Sequence, residues 1–460
     1  MSALGAPADL ADLADAADAA NAAGPGDPAD DLLAFIAASP TPYHAVAEAA
    51  ARLARAGYVP LDEREPWPVA PGLKGYVVRG GGTLVAFEVG GEPPSKAGFV
   101  AVAAHTDSPN LRVKPAGDLR AGALRQLAVE VYGGVLLSTW LDRDLSIAGR
   151  VTLAGGETRL VRFDEPLCRV PNLAIHLDRE VNRAGLVLNP QKHLSPLVAL
   201  GGEGGLRERL AERLGRQGES VRPDDVFAFD LCLYDTQAPA RGGEGGAFLF
   251  APRLDNLTSC HAALAALTAP GAPPVAQTRV VALYDHEEVG SRSAHGAASR
   301  FLLGIFERLA EAYPDAGPQA LARAAARSFL VSADMAHALH PNYPDKHDER
   351  HAPRLGGGPV IKANVNQSYA TDGPGAAAFE ALCRSVDVVP QHFVSRNDQP
   401  CGSTVGPITA AQAAMRAVDV GGPMLSMHSC REMAAAADVA PMVRVLARFF
   451  AAPPSLPPSA

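Results

Sequence analysis

A chain of 460 residues, 47% hydrophobic and 20% charged, has the make-up of a folded protein rather than a disordered one, and at roughly 150 residues per domain it has room for two or three domains. Its 41 basic and 50 acidic groups leave a formal charge of −9, and no basic tract is interleaved with aromatics, so nucleic acid is not expected as the main partner. The six cysteines form no CxxC pair and read as reduced structural thiols, which suits the cytoplasm.

Residues 1–29 are rich in Ala and Asp, with neither the basic start and apolar run of a signal peptide nor a membrane-length apolar stretch, and are expected to be a disordered or weakly helical leader. From 31 to 56 apolar residues recur at helical spacing around Pro40 and Pro42, which predicts one or two helices. Residues 75–89 alternate as a strand pair about Gly80, Gly81 and Gly82. The run 98–104 is continuously small and apolar, as in a central strand covered on both faces. Between 112 and 238 short alternating runs prevail, at 127–137, 150–153 and 158–163, with a helical stretch at 206–214. This predicts an inserted β-rich domain with its own core. Strands are then predicted at 279–284, 328–333 and 423–428, and helices near 256–268, 293–312, 375–385 and 432–450. That rhythm implies a layered α/β/α domain with a mostly parallel sheet, built from 30–111 and 239–452 and followed by a flexible tail at 453–460.

Metal-capable side chains fall where the apolar runs stop. His105 and Asp107 follow the 98–104 strand two residues apart, so they share a side if the strand persists, and Asp107 can hold one imidazole nitrogen while the other binds metal. Asp255 precedes a predicted helix, where it is either an N-cap or a carboxylate bridging two cations. In VVALYDHEEVGS an apolar strand runs into Asp285, His286, Glu287 and Glu288. The bland reading is a solvated acidic turn; the functional one gives one glutamate to metal and its neighbour to proton transfer. Asp334 closes SFLVSAD, and His428 follows PMLSM, where a satisfied core histidine is the alternative. Open α/β sheets bind ligands outside the carboxyl ends of their strands. The inventory of two imidazoles and three carboxylates, with one carboxylate over, suits two zinc ions about 3.5–4 Å apart, bridged by Asp255 and a hydroxide. Three carboxylates and a hydroxide cancel four positive charges, and Glu287 is left as the general base. Hard magnesium has little use for two histidines.

The blocks HTDSPN at 105–110, LDNL at 254–257, DHEEVGS at 285–291, SADMAHALHPNY at 332–343, NQSYAT at 366–371, CGSTVGP at 401–407 and SMHSCRE at 426–432 together resemble the aspartyl aminopeptidase family of zinc metallopeptidases. The resemblance runs from about residue 30 to 450. It implies two zinc ions per subunit, with manganese or cobalt tolerated at one site. His105 and Asp334 would hold one ion, Glu288 and His428 the other, and Asp255 both. It also implies that 112–238 is a dimerisation domain, that the particle is a tetrahedral homododecamer enclosing its active sites, and that His176 enters a neighbouring subunit's active site. The implied reaction is removal of an N-terminal Asp or Glu from short peptides by a dizinc-bridged hydroxide, with Asp107 in a supporting role. Lys362 is the candidate partner for the substrate's side-chain carboxylate, a surface lysine being the bland alternative. Gly402, Ser403 and Thr404 are candidate backbone donors to substrate. Competing expectations are a relative that prefers neutral or apolar N-terminal residues, a dinuclear zinc deacylase or carboxypeptidase, and a binding shell without activity. Neither nucleic acid nor membrane is an expected partner.

Overall fold

The computed structural model describes residues 26–313 and 317–454. The expected leader, up to residue 25, and the expected tail, from residue 455, lie outside these. The described residues form two compact units. Ser108–Pro239 with His428–Arg431 make the smaller one, and the larger holds the residues up to Asp107, Ala240–Met427 and those from Glu432 onward.

The larger unit is built on a nine-stranded sheet: β1 Val59–Pro60, β2 Lys74–Arg79, β3 Thr83–Glu88, β4 Phe99–His105, β5 Thr278–Tyr284, β6 Phe329–Ala333, β7 Val360–Lys362, β8 Gln391–Phe393 and β9 Arg416–Gly421. Its order is β1-β2-β3-β5-β4-β6-β9-β7-β8. The central strands β5, β4, β6 and β9 are mutually parallel, whereas β3 and β7 join them antiparallel. Every residue of β4, β5 and β6 is buried, which explains their unbroken apolar sequences. Alternate residues serve opposite layers. Val100, Val102 and Ala104 pack with helices Pro28–Ala38, Pro42–Arg55, Leu254–Leu267, Gly373–Arg384 and Val439–Ala451. Phe99, Ala101 and Ala103 pack with Phe301–Glu311, Ala320–Ala325 and Val405–Ala413. The fold is the expected α/β/α sandwich with a mostly parallel centre.

The prolines near the start divide two helices rather than kinking one. Pro28 and Pro42 each sit in the first turn, where a missing N–H costs nothing, and the Asp27 and Thr41 side chains accept N–H bonds as caps. Three boundaries differ from expectation. The 293–312 helix begins only at Phe301, because the Ser293 hydroxyl ties down the N–H groups of His295 and Gly296 in a turn. The 432–450 helix is a strand, Glu432–Ala435, followed by a helix from Val439. The 423–428 strand shortens to Pro423–Leu425 and belongs to a separate five-stranded sheet with Ala240–Gly242, Phe248–Ala251, Glu432–Ala435 and Ala336–His337. His428 therefore does not end a strand of the main sheet. That place is taken by β9, whose sequence RAVDVG hides a strand buried from Ala417 to Gly421 behind an aspartate.

The smaller unit is an antiparallel six-stranded sheet in the order Thr158–Arg162, Leu145–Leu153, Val226–Asp235, Asn110–Ala121, Leu124–Tyr132 and Leu197–Leu200. Leu210 and Leu214 of the helix Leu206–Arg216 pack into a core with Leu111, Ile147, Val151 and Leu231. Among the described residues no helix is long and apolar enough to cross a membrane.

Candidate metal centre

The parallel register of β4 and β5 sets Tyr284 beside His105, so the chain leaves both strands at the same edge. Asp334 follows β6, the next strand over, and Asp255 opens the 254–267 segment. His105 is buried, and its Nε2 stands 3.4 Å from Asp255 Oδ1 and 3.5 Å from Asp334 Oδ1. These separations exceed a good hydrogen bond and suit donor atoms arranged around a cation. The other ring nitrogen, Nδ1, lies 2.9 Å from the main-chain oxygen of Asp107. A proton held there leaves Nε2 as the free ligand atom.

The Asp107 carboxylate has a second task besides the imidazole. It stands 3.5 Å from the His105 ring and also accepts the backbone N–H groups of Glu287 on Oδ1 and of Glu288 on Oδ2, each at 3.1 Å. Asp107 is fully buried (0% exposed), and these charge-assisted bonds fix the turn that carries both glutamates. That turn is a single 3-10 segment, Glu287–Val289, between His286 (φ 66°) and Gly290 (φ 92°), both left-handed. His286 Nδ1 is 2.7 Å from the Ser293 hydroxyl, which holds its ring.

Asp255 was expected to be a helix cap or a bridging carboxylate. Its backbone is not helical, and its N–H donates to Glu432 Oε2 at 3.1 Å. Asn256 donates from Nδ2 to the Ala333 carbonyl at 2.8 Å, which ties this segment to the end of β6. The first regular helical bond is Leu257 N–H to Arg253 O.

Ligand atoms of His105, Asp255 and Asp334 lie within 4.8 Å of one another, as do those of His105, Glu287 and Glu288. So much negative charge in a sheltered place shifts protonation. Burial, reinforced by the Asp334, Asp107 and Asp255 charges and opposed by His105, pushes the Glu287 carboxyl up to about 8. Burial and then Asp255 drive Glu288 well above the carboxylate range. His105 is raised despite burial, because Asp107, Asp255 and Asp334 favour its charged form. One imidazole cannot balance this set of carboxylates, so the cluster calls for cations. A mixed nitrogen and oxygen donor set fits zinc.

The remaining expected residues are placed as follows. Lys362 is no surface lysine: it is 1% exposed, donates from Nζ to the Met335 carbonyl at 3.2 Å, and lies 3.8 Å from Asp334 Oδ2 and 5.0 Å from the Tyr369 ring centre. Gly402 and Ser403 are exposed, whereas Thr404 is buried and caps the helix Val405–Ala413 by accepting the Gly406 N–H. His428 and His176 belong to the smaller unit. His428 Nδ1 lies 2.9 Å from the Gly134 carbonyl oxygen, and His176 sits exposed in a turn. Sequence reasoning missed Asp419, a buried carboxylate in β9; its signal was an acidic residue within an apolar run.

A family model described as Aminopeptidase I zinc metalloprotease (M18) matches residues 35–450. The "Probable M18 family aminopeptidase 2" of Azotobacter vinelandii is 49% identical over 428 residues, covering 92% of this chain and 97% of that protein. Its namesake in Streptomyces avermitilis is 49% identical over 418 residues, covering 89% and 94%. Among solved structures, Ape4 in complex with Nbr1 superposes with a TM-score of 0.89 at 39% identity, covering 92% of this chain and 85% of that one. The S. cerevisiae mApe1 dodecamer superposes at 0.80 with 30% identity, covering 92% and 96%.

Proposed function

This chain belongs to the M18 family of metal-dependent aminopeptidases, which remove N-terminal residues, and we propose that it acts on short peptides beginning with Asp or Glu, using two zinc ions per chain. The observation that carries the reading is the convergence of His105, Asp255, Asp334, Glu287 and Glu288 at the carboxyl end of the parallel strands. His105 and Asp334 are the proposed ligands of one ion, Glu288 and His428 of the other, and Asp255 of both, with manganese or cobalt tolerated at one position.

Zinc held there would act as a Lewis acid on the scissile carbonyl and lower the pKa of the attacking water. The protein's share is proton handling and positioning. Glu287 carries a carboxyl whose affinity for protons is raised by its surroundings, so it can take a proton from water and return it to the leaving amine. Asp107 keeps Glu287 and Glu288 in place through their N–H groups.

For the acidic preference, support comes from the buried Lys362 ammonium, a cation that a substrate carboxylate could meet close to Asp334. Gly402 and Ser403, both exposed residues, together with the chain at Thr404, are the proposed backbone donors to substrate. By analogy with the mApe1 dodecamer, we propose a tetrahedral homododecamer with the smaller unit as its dimerisation domain, working in the cytoplasm. Leu173, Ile175 and Leu177 are exposed on either side of His176, as a partner-facing segment would be. His176 would then serve a neighbouring subunit's site.

The test is hydrolysis of matched peptides beginning with Asp, Glu, Leu, Ala or Lys, with N-acetylated controls, by the zinc-loaded enzyme and by Glu287→Ala. Release of unblocked acidic residues, down about 10²–10⁴-fold in the variant, is the expected result. Faster cleavage of Leu or Ala peptides would overturn the specificity. Glu287-dependent cleavage of the acetylated controls would point to a deacylase or carboxypeptidase instead.

A further inference from the structure

Across β6, β9 and β7 the register aligns Ser332, Asp419 and Lys362 in one row, two residues before Asp334. Asp419 is 0% exposed. A carboxylate this deeply buried must be matched by donors, and here they come from segments far away in the chain. The Ala370 N–H donates to Oδ2 at 2.5 Å, and the Thr404 hydroxyl to Oδ1 at 2.6 Å. The Asp419 N–H donates in turn to the Thr371 hydroxyl at 2.9 Å. Lys362 faces it across the antiparallel pair; burial pushes the Asp419 carboxyl up, and the Lys362 charge opposes that rise. The start of the helix Val405–Ala413 packs tightly on the same group: a Cβ added at Gly406 would come within 2.3 Å of Asp419 Oδ2.

These contacts border the proposed substrate site. Ala370 and Thr371 adjoin Tyr369, whose ring lies beside the Lys362 ammonium. Thr404 follows Gly402 and Ser403. One carboxylate thus joins the strand bearing Lys362, the loop bearing Tyr369 and the loop bearing the proposed backbone donors. We propose that Asp419 is a positioning residue for recognition of the substrate's first side chain, holding Lys362, Tyr369 and the 402–404 segment at fixed separations. The inference rests on the proposed placement of substrate beside Lys362.

Asp419→Asn keeps the shape but removes the charge and turns one acceptor into a donor, which cannot satisfy the Ala370 N–H and the Thr404 hydroxyl as before. Kinetics on Glu- and Leu-initiated peptides would be measured with zinc content and thermal unfolding. KM for the Glu peptide should rise about tenfold or more, kcat should fall by less than about threefold, and zinc content should match the wild type. An unchanged KM, a matching loss of kcat on both peptides, or loss of zinc would each overturn the proposal. If Asp419→Asn does not fold, Thr404→Val and Thr404→Ser decide. The valine variant should raise KM about threefold or more and the serine variant should restore it; two variants with wild-type KM would refute the idea. A wild type that does not favour Glu over Leu would sink the acidic preference alone. Asp419 would then be judged by the rise in KM on whichever peptide the wild type prefers.

Discussion

Asp107 shows how much of this site's chemistry depends on main-chain groups. Its carboxylate accepts two consecutive N–H groups, so the proposed base and a proposed ligand are aimed by one residue 180 positions away in sequence. The protonation of the metal-free cluster leads to a test at the same scale. The Glu287 carboxyl is raised from an ordinary 4.5 to about 8, mainly by burial. Between those values the folded metal-free chain keeps a proton that the unfolded chain has released, so stability falls as pH rises through that window. Zinc removes this penalty, and at lower pH protons also compete with it for the ligands. The rise in melting temperature on adding zinc to stripped protein should therefore be larger near pH 8 than at about pH 5. Equal shifts at both pH values would mean that the glutamates do not meet the metal.

At the scale of elements, the strands that position the cluster were the most legible. The 98–104 and 279–284 runs are apolar throughout because β4 and β5 are covered on both faces, and each stops at the residues that bear the chemistry. β9 escaped notice because Asp419 breaks its apolar run, although that aspartate is paid for by Ala370, Thr404 and Lys362 rather than by water. The helix of 293–312 is shorter than its periodicity predicts because a Ser293 turn, which periodicity does not encode, occupies its first residues. What remains of that helix still covers one face of the sheet. Phe306, 1% exposed, stacks on Phe99 of β4 with ring centres 4.2 Å apart. Phe306→Ala should cost about 3–5 kcal/mol in denaturant unfolding, through lost burial and the cavity left behind. A cost under about 1 kcal/mol would show that the layer can collapse around the gap.

For the whole molecule, exposed apolar side chains of the smaller unit bear on assembly. Leu173 and Leu177 are 61% and 73% exposed, and Val187, further along the same unit, is 85% exposed. Burying such side chains against another copy would contribute about 25 cal/mol per Å² of apolar surface, while leaving them in water gains nothing. Leu173→Asp combined with Leu177→Asp should therefore lower the particle mass measured by light scattering. If His176 serves a neighbouring site, peptide hydrolysis should fall with it. An unchanged mass would rule this segment out as a subunit contact.

Local pattern alone carried the layered α/β class, the central strands, and the charged residues His105, Glu287, Glu288 and Asp334 at their ends, because strand burial and strand termination are encoded in short stretches of chain. Which of those residues meet which depends on the folded chain. That the Asp107 carboxylate serves two N–H groups, that Lys362 is buried beside Asp334, and that Asp419 binds two distant loops all follow from strand register and from approaches between segments far apart in the chain. No local period encodes those, since register is set by how whole faces pack.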